Sequence, residues 1–159
     1  MSEASREERL LTFEVAGAAF ALPIADVLEV AEVEARYPVP SLPPTLAGVV
    51  NHHGDALPVV EPSVLFDLAG LELPPPAHLL VLGEVGGDAA NLALPVDRIC
   101  GLVPGRGGST REPSGIVERR SLEGRVVSIL DTNRLLARAA AAIEQAGARS
   151  SDNDQGGLA

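Results

Sequence analysis

The side chains through which this chain could do chemistry are few: three histidines, one cysteine, one serine in an apolar run and two similarly placed acids. His52 and His53 stand together in Asn51-His52-His53-Gly54-Asp55, and His78 stands apart. A metal would need their ring nitrogens to converge with thiolates or carboxylates. Neighbours on a strand point to opposite faces, which keeps the pair from one ion unless a tight turn redirects them. No His/Cys/acid cluster accompanies them at ligand spacing, so they read as two surface turn residues, with no metal and no cofactor. Cys100 lies in an apolar strand pattern and reads as inert core. Ser128 lacks the Gly-x-Ser-x-Gly turn of a hydrolase. The glycine-rich stretches 83–87 and 105–108 have no lysine to serve a phosphate loop, because the chain contains none. Glu61 and Asp131 end equivalent strands and read as helix caps, not as an acid/base pair. No catalytic constellation assembles, and the expectation is a protein that is not an enzyme.

The histidine pair is held by the segment around which the chain is organised, Ser41 to Glu61. Leu46–Val50 and Ala56–Val60 are valine-rich runs flanking a polar turn with Gly54, the pattern of a β-hairpin. Pro43 and Pro44 hold its approach extended. Ahead of it, Leu11–Val15 and Phe20–Leu22 predict strands about a turn at Ala16-Gly17-Ala18. Pro23 opens a single helical turn before a strand at Val27–Val30. Pro62–Leu68 predicts a short helix, and Gly70–Ala77 a proline-rich linker. Strands then recur at His78–Glu84, Asn91–Leu94, Gly115–Arg119 and Arg125–Ile129, with a flexible loop at Pro104–Pro113. Asp131 predicts the start of an alanine-rich helix over 131–146 that stops at Gly147.

At 159 residues, 46% hydrophobic but only 3% aromatic, the chain predicts one domain with a core of Val, Leu, Ile and Ala in place of stacked rings. The lone cysteine excludes an internal disulfide, and no apolar run is long enough to span a bilayer. With no signal-like N-terminus, a cytoplasmic protein is expected, without direct membrane insertion. The net charge of −10 argues against nucleic acid, whose binding rests on phosphate neutralisation. Residues 10–97 hold twelve acids against the single Arg36, whereas residues 98–159 hold seven acids against nine arginines. That imbalance predicts that the first half meets a basic partner surface, steered by Glu29, Glu32 and Glu34.

Two internal echoes run through the chain. Ala21-Leu22-Pro23-Ile24-x-x-Val27-x-x-Val30 is matched by Ala93-Leu94-Pro95-Val96-x-x-Ile99-x-x-Leu102. Gly54-x-x-Leu57-x-x-Val60-Glu61 is matched by Gly124-x-x-Val127-x-x-Leu130-Asp131. Repeated units in the same order predict two similar small barrels, which remove strand edges by closing.

On these residues the chain resembles the CheW-like domain of bacterial chemotaxis coupling proteins. The likeness is carried by Leu46-x-Gly48-Val49-Val50-Asn51-x-x-Gly54, Leu57-Pro58-Val59-Val60, Leu94-Pro95-Val96-Asp97-x-Ile99 and Gly124-Arg125-x-Val127-x-Ile129-Leu130-Asp131. It implies a mainly β fold of two five-stranded SH3-like barrels packed side by side, with short helices and a C-terminal α-helix. Residues 1–9 would be a disordered tail, 10–146 the domain and 147–159 a second disordered tail. Within the domain the first barrel would take about 10–70 and the second about 77–130. The resemblance further implies a stand-alone adaptor joining a CheA-type histidine kinase to the cytoplasmic tip of a chemoreceptor, recruited to receptor arrays. The partner-binding positions it implies are Val27, Glu29, Asn51, His53, Gly54, Ile99 and Leu102, with Ile99 and Leu102 tending to core. Where the family writes Asn-Leu-Arg-Gly, this chain has Asn51-His52-His53-Gly54, losing a fixed cation. That departure opens an alternative, a specialised scaffold that docks a kinase or sister adaptors without ordinary receptor coupling.

Overall fold

Residues 8–32, 36–38, 47–66 and 76–157 are described by the computed structural model of the chain. Glu34, the Pro43-Pro44 segment, Leu46, most of the 70–77 linker and residues 1–7 and 158–159 lie outside the described residues. Among the described residues ten strands follow the alternating and valine-rich runs: β1 Arg9–Val15, β2 Ala18–Pro23, β3 Val27–Glu32, β4 Ala47–His52, β5 Asp55–Val60, β6 His78–Leu82, β7 Leu92–Val96, β8 Arg98–Pro104, β9 Ile116–Leu122 and β10 Arg125–Leu130. Pro23 opens the expected single turn, Ile24–Asp26, and Pro62 starts a short helix, Pro62–Leu65. The turns His53-Gly54 and Glu123-Gly124 both hold positive φ, 51° with 91° and 50° with 82°. That is the type I′ pattern, whose twist matches the flanking strands and whose second position suits glycine.

The strands form two five-stranded sheets, β8-β1-β2-β10-β9 and β3-β6-β7-β5-β4. The fold class is as the sequence predicts, but the boundaries at about 10–70 and 77–130 do not describe the sheets. One sheet is an unbroken run, residues 27–96, and the other is assembled from the two ends of the chain, 9–23 and 98–130. The cause is that β3 leaves β2 and pairs with β6, while β8 returns to pair with β1. The internal repeat survives this exchange. Ile129 faces Ala21 in the parallel pair of one sheet, and Val59 faces Ala93 in that of the other. Leu22 and Leu94 sit on the two central strands, and Gly54 and Gly124 at the two equivalent turns.

The inner strands β1 and β2 of one sheet and β6 and β7 of the other bury both faces. Leu10, Ala19, Ala21, Val103, Val127 and Ile129 fill one curled sheet, and Val50, Leu57, Val59, Leu79, Val81 and Ala93 fill the other. The alternate residues, among them Leu11, Phe13, Leu22, Leu80, Leu82 and Leu94, meet between the sheets and under the helices. This shared layer gathers the three phenylalanines: Phe13 stacks on Phe20 at 5.9 Å and Phe20 on Phe66 at 4.5 Å. A core free of stacked rings was the expectation from composition. The few rings present are instead concentrated where the two sheets meet.

Arg9 belongs to β1, and Glu8 pairs with Arg106 at 2.6 Å, so two residues of the stretch expected as a tail are part of the fold. The C-terminal helix, Thr132–Gly157, is capped by Asp131, whose Oδ1 accepts the Arg134 N–H at 3.3 Å. It runs through Gly147 where a stop at 146 was expected. One interior glycine costs about 1 kcal/mol relative to alanine, which is insufficient to end a helix between Ala146 and Ala148. Glu61, the counterpart of Asp131, makes no side-chain cap bond. Its longer carboxylate turns back to Arg36, an ion pair in which burial lowers the guanidinium pKa. The stem of Arg36 lies over Gly48, where an added Cβ would come within 2.7 Å of its Cγ.

Candidate functional site

β3 and β4 are the two edges of the 27–96 sheet, four pairings apart in strand order. Curling of the sheet brings them together through side chains. His52 Nε2 and Glu29 Oε2 lie 2.7 Å apart, and His53 Nε2 lies 3.4 Å from the same oxygen. The two imidazoles meet edge to face at 4.3 Å. The hydrogen bond with His52, aided by the nearby imidazoles and opposed by burial, holds the Glu29 carboxyl below the ordinary glutamate range. Glu29, His52 and His53 therefore form a cluster whose ligand atoms all fall within 4.8 Å of one another. The sequence offered no such cluster because its acid comes from a strand 23 residues upstream. The two histidines also escape strand alternation, since His52 ends β4 while His53 occupies a turn position at positive φ.

A register shift between Val27 and Glu29 leaves Leu28 as the extra residue of a β-bulge against β6. Cys100 is the extra residue of the matching bulge between β8 and β1. In β3, Val27, Glu29 and Ala31 take the less exposed side, while Leu28 and Val30 face out at 38% and 44% exposure. In β8, Ile99 packs at the margin of the shared core, whereas Leu102 is 49% exposed. Leu102 is thus a surface residue and not the core position expected. Cys100 is likewise exposed, not core, and burial of its surroundings followed by the Glu14 carboxylate raises its thiol pKa. Asn51 builds the turn, its Oδ1 accepting the Gly54 N–H at 2.9 Å. The structure brings Glu29 and His53 together and places Asn51 and Gly54 beside them. It sets Ile99 and Leu102 on the edge strand of the other sheet. Leu28 and Val30 were missed as surface candidates, because Glu29, the polar residue that would mark the outward face between them, takes the less exposed side.

The larger clefts are differently occupied. One of ≈ 600 Å³ lies along the C-terminal helix and is lined by Leu92, Leu136, Ala139 and Ile143. Another, of ≈ 610 Å³, includes Asp26, Asp131 and Thr132. These polar groups hold the fold: Thr132 Oγ1 donates to Asp26 at 2.7 Å, and Asp131 accepts the Thr110 N–H at 2.9 Å.

Two curled sheets that expose apolar residues on their outer strands present the kind of surface through which proteins meet one another. The sequence matches the CheW-like domain family over residues 9–140, and the chain belongs to that family, whose members are scaffolds and adaptors of chemotaxis signalling. The solved structures include a similar fold in the scaffolding protein TtCheW from Thermoanaerobacter tengcongensis, with a TM-score of 0.66 at 17% identity. That match covers 81% of this chain and 87% of the other. A comparison with curated proteins finds no match. Among the described residues no helix is long and apolar enough to cross a membrane.

Proposed function

We propose that this protein is a non-enzymatic adaptor that couples a CheA-type histidine kinase to the cytoplasmic tip of chemoreceptors, joining receptor arrays from the cytoplasm. The observation that carries the reading is the pair of outer strands, β3 and β8, that present apolar residues at equivalent places on two sheets of opposite charge. An adaptor needs two surfaces that differ in partner, and like backbone frames with unlike charge provide them. On β3, Leu28 and Val30 are flanked by Glu29 and Glu32; on β8, Leu102 follows Arg98. Exposed apolar residues ringed by charge are how interfaces combine affinity with register. Val27 and Ile99 support the two strands from beneath, and Asn51 and Gly54 set the hairpin tip beside Glu29.

The test is co-sedimentation of purified kinase with receptor-bearing membranes in the presence and absence of this protein. The reading expects kinase in the pellet only when the adaptor is present. A second reading, a specialised scaffold that binds the kinase or sister adaptors without receptors, is favoured by one observation. His53 stands where the family writes arginine and leans on the chain's own Glu29, 3.4 Å away. Kinase binding without recruitment to membranes would support it.

A further inference from the structure

We propose that Glu29, His52 and His53 form a site for a divalent transition ion, best matched to Zn²⁺, that ties the two edges of the 27–96 sheet together. The donor set is two imidazoles and one carboxylate. Nitrogen donors of this kind suit zinc, copper and nickel and disfavour magnesium and calcium. Around a tetrahedral zinc with bonds of about 2.0–2.1 Å, neighbouring ligand atoms are separated by about 3.3–3.4 Å. The two contacts to Glu29 Oε2 here, 2.7 and 3.4 Å, bracket that separation, and all three ligand atoms lie within 4.8 Å. Only side-chain adjustment is needed to surround an ion.

The backbone already pays for the convergence. His53 is held at φ 51° by a turn that Asn51 clasps, and Glu29 follows a bulge that redirects β3. The sister sheet shows that the fold does not demand this arrangement. At the positions equivalent to Glu29, His52 and His53 it has Gly101, Leu122 and Glu123, and Leu122 packs against the interior of its sheet. The cluster borders a small cavity of ≈ 90 Å³ whose lining includes the apolar Val50, Leu57, Leu79 and Val81 and the polar Glu32 and Asn51. On the open side His53 is 73% exposed, giving an ion its route in and a fourth position for water.

Without metal, the His52 Nε2–H donates to the Glu29 carboxylate. Binding requires that this imidazole carry its remaining proton on Nδ1, so that Nε2 offers its lone pair to the ion while Glu29 exchanges a hydrogen bond for a metal bond. The formal charge of the three-residue cluster changes from negative to positive. An ion would thereby restore a fixed cation beside the turn where His53 alone provides none.

The decisive experiment is a titration of Zn²⁺, at pH 7.5 and in competition with a chromophoric chelator, into protein stripped of metal and freed of any affinity tag. The inference expects one ion per chain with a dissociation constant below about 10 µM. Glu29→Gln and His53→Ala should each weaken binding at least about tenfold, and the double variant more. His78→Gln, which removes the distant third histidine, should leave affinity unchanged. Mg²⁺ at millimolar level, on the order of intracellular concentrations, should not compete. Because His53 occupies a strained turn position, circular dichroism of each variant distinguishes a lost ligand from a lost fold, and Co²⁺ substitution gives an independent readout. Four-coordinate Co²⁺ absorbs strongly in the visible, and that band should vanish in Glu29→Gln. Binding weaker than about 10 µM, or binding that survives the Glu29 and His53 substitutions, would overturn the inference and mark the cluster as a hydrogen-bonded clasp.

Discussion

The two sheets share a plan and differ in what they present. In the sheet β8-β1-β2-β10-β9 the strands carry Arg9, Arg98, Arg119, Arg120 and Arg125 against Glu14 and Glu118. In the sheet β3-β6-β7-β5-β4 they carry Glu29, Glu32 and Asp55 and no arginine. One is basic and the other acidic, over matching registers and matching bulges. They also close differently, with apolar Leu122 in the basic sheet and the His52–Glu29 contact in the acidic one. Where both sheets keep the same residue class, the fold requires it. Where they differ, the fold is indifferent and another use is free to act. By that criterion Leu22 and Leu94 belong to the architecture, and the Glu29–His52–His53 cluster does not.

The largest effect should come from the shared layer. Leu22 and Leu94 are both fully buried on central strands, so replacing either with alanine should cost about 2–5 kcal/mol. Each sheet draws on the other's connections, and urea unfolding should remain a single transition followed alike by fluorescence and circular dichroism. Two separate transitions would break the comparison by showing sheets that unfold independently.

Next comes Gly48 in the acidic sheet, whose counterpart in the basic sheet is Glu118. An alanine there would meet the Arg36 stem at 2.7 Å and the Tyr37 carbonyl at 3.0 Å. A loss of about 1–3 kcal/mol is expected, and Arg36→Ala in the same chain should recover part of it. A double-mutant cycle measures that coupling.

Smaller effects should separate the two closures. Leu122→His places an imidazole against the interior of the basic sheet and should cost about 1–2 kcal/mol. His52→Leu, which gives the acidic sheet its sister's residue, should stay within about 1 kcal/mol of wild type, since Glu29 is 39% exposed to water and keeps His53 within 3.4 Å. Equal costs from the two substitutions would mean that the cluster is as structural as Leu122.

The smallest effect concerns pH. Because the folded Glu29 pKa is lowered, the contribution of its ionised form is complete above the ordinary glutamate range. It is lost as the pH falls through the lowered folded value. The difference in stability between wild type and Glu29→Gln should therefore be flat near neutrality and shrink in acid. A difference that grows on acidification would reverse the sign.

Local patterns were legible in the sequence. Alternation, prolines at strand ends and the Gly54 and Gly124 turns place every strand but β8 within a few residues. The echo between Leu22 and Leu94 predicts two like units. Strand exchange was not legible, because an offset between repeats says which residues are equivalent and nothing about which half supplies a sheet's neighbours. For the same reason the charge asymmetry, read as first half against second, is an asymmetry between sheets: the acidic stretch coincides with β3 to β7, a contiguous run. The candidate cluster was invisible because Glu29 meets the histidines only after the sheet curls. Cys100 and Leu102 were misplaced as core because both faces of this strand carry apolar residues, and its regular alternation turns Cys100 and Leu102 outward while Ile99 and Val103 point in.

The measurement closest to the central claim, that two like sheets serve two unlike partners, compares Val30→Arg with Leu102→Arg. Each places a charge in an exposed apolar position, on β3 and β8 respectively, without touching the interior. Binding of each variant to the isolated kinase regulatory domain and to the isolated receptor tip should be measured by titration calorimetry. The expected result is a crossed pattern, in which each substitution weakens one partner by at least about tenfold, roughly 1.4 kcal/mol, and leaves the other within about twofold. Loss of both partners from one substitution and neither from the other would contradict it, as would wild-type protein that binds neither.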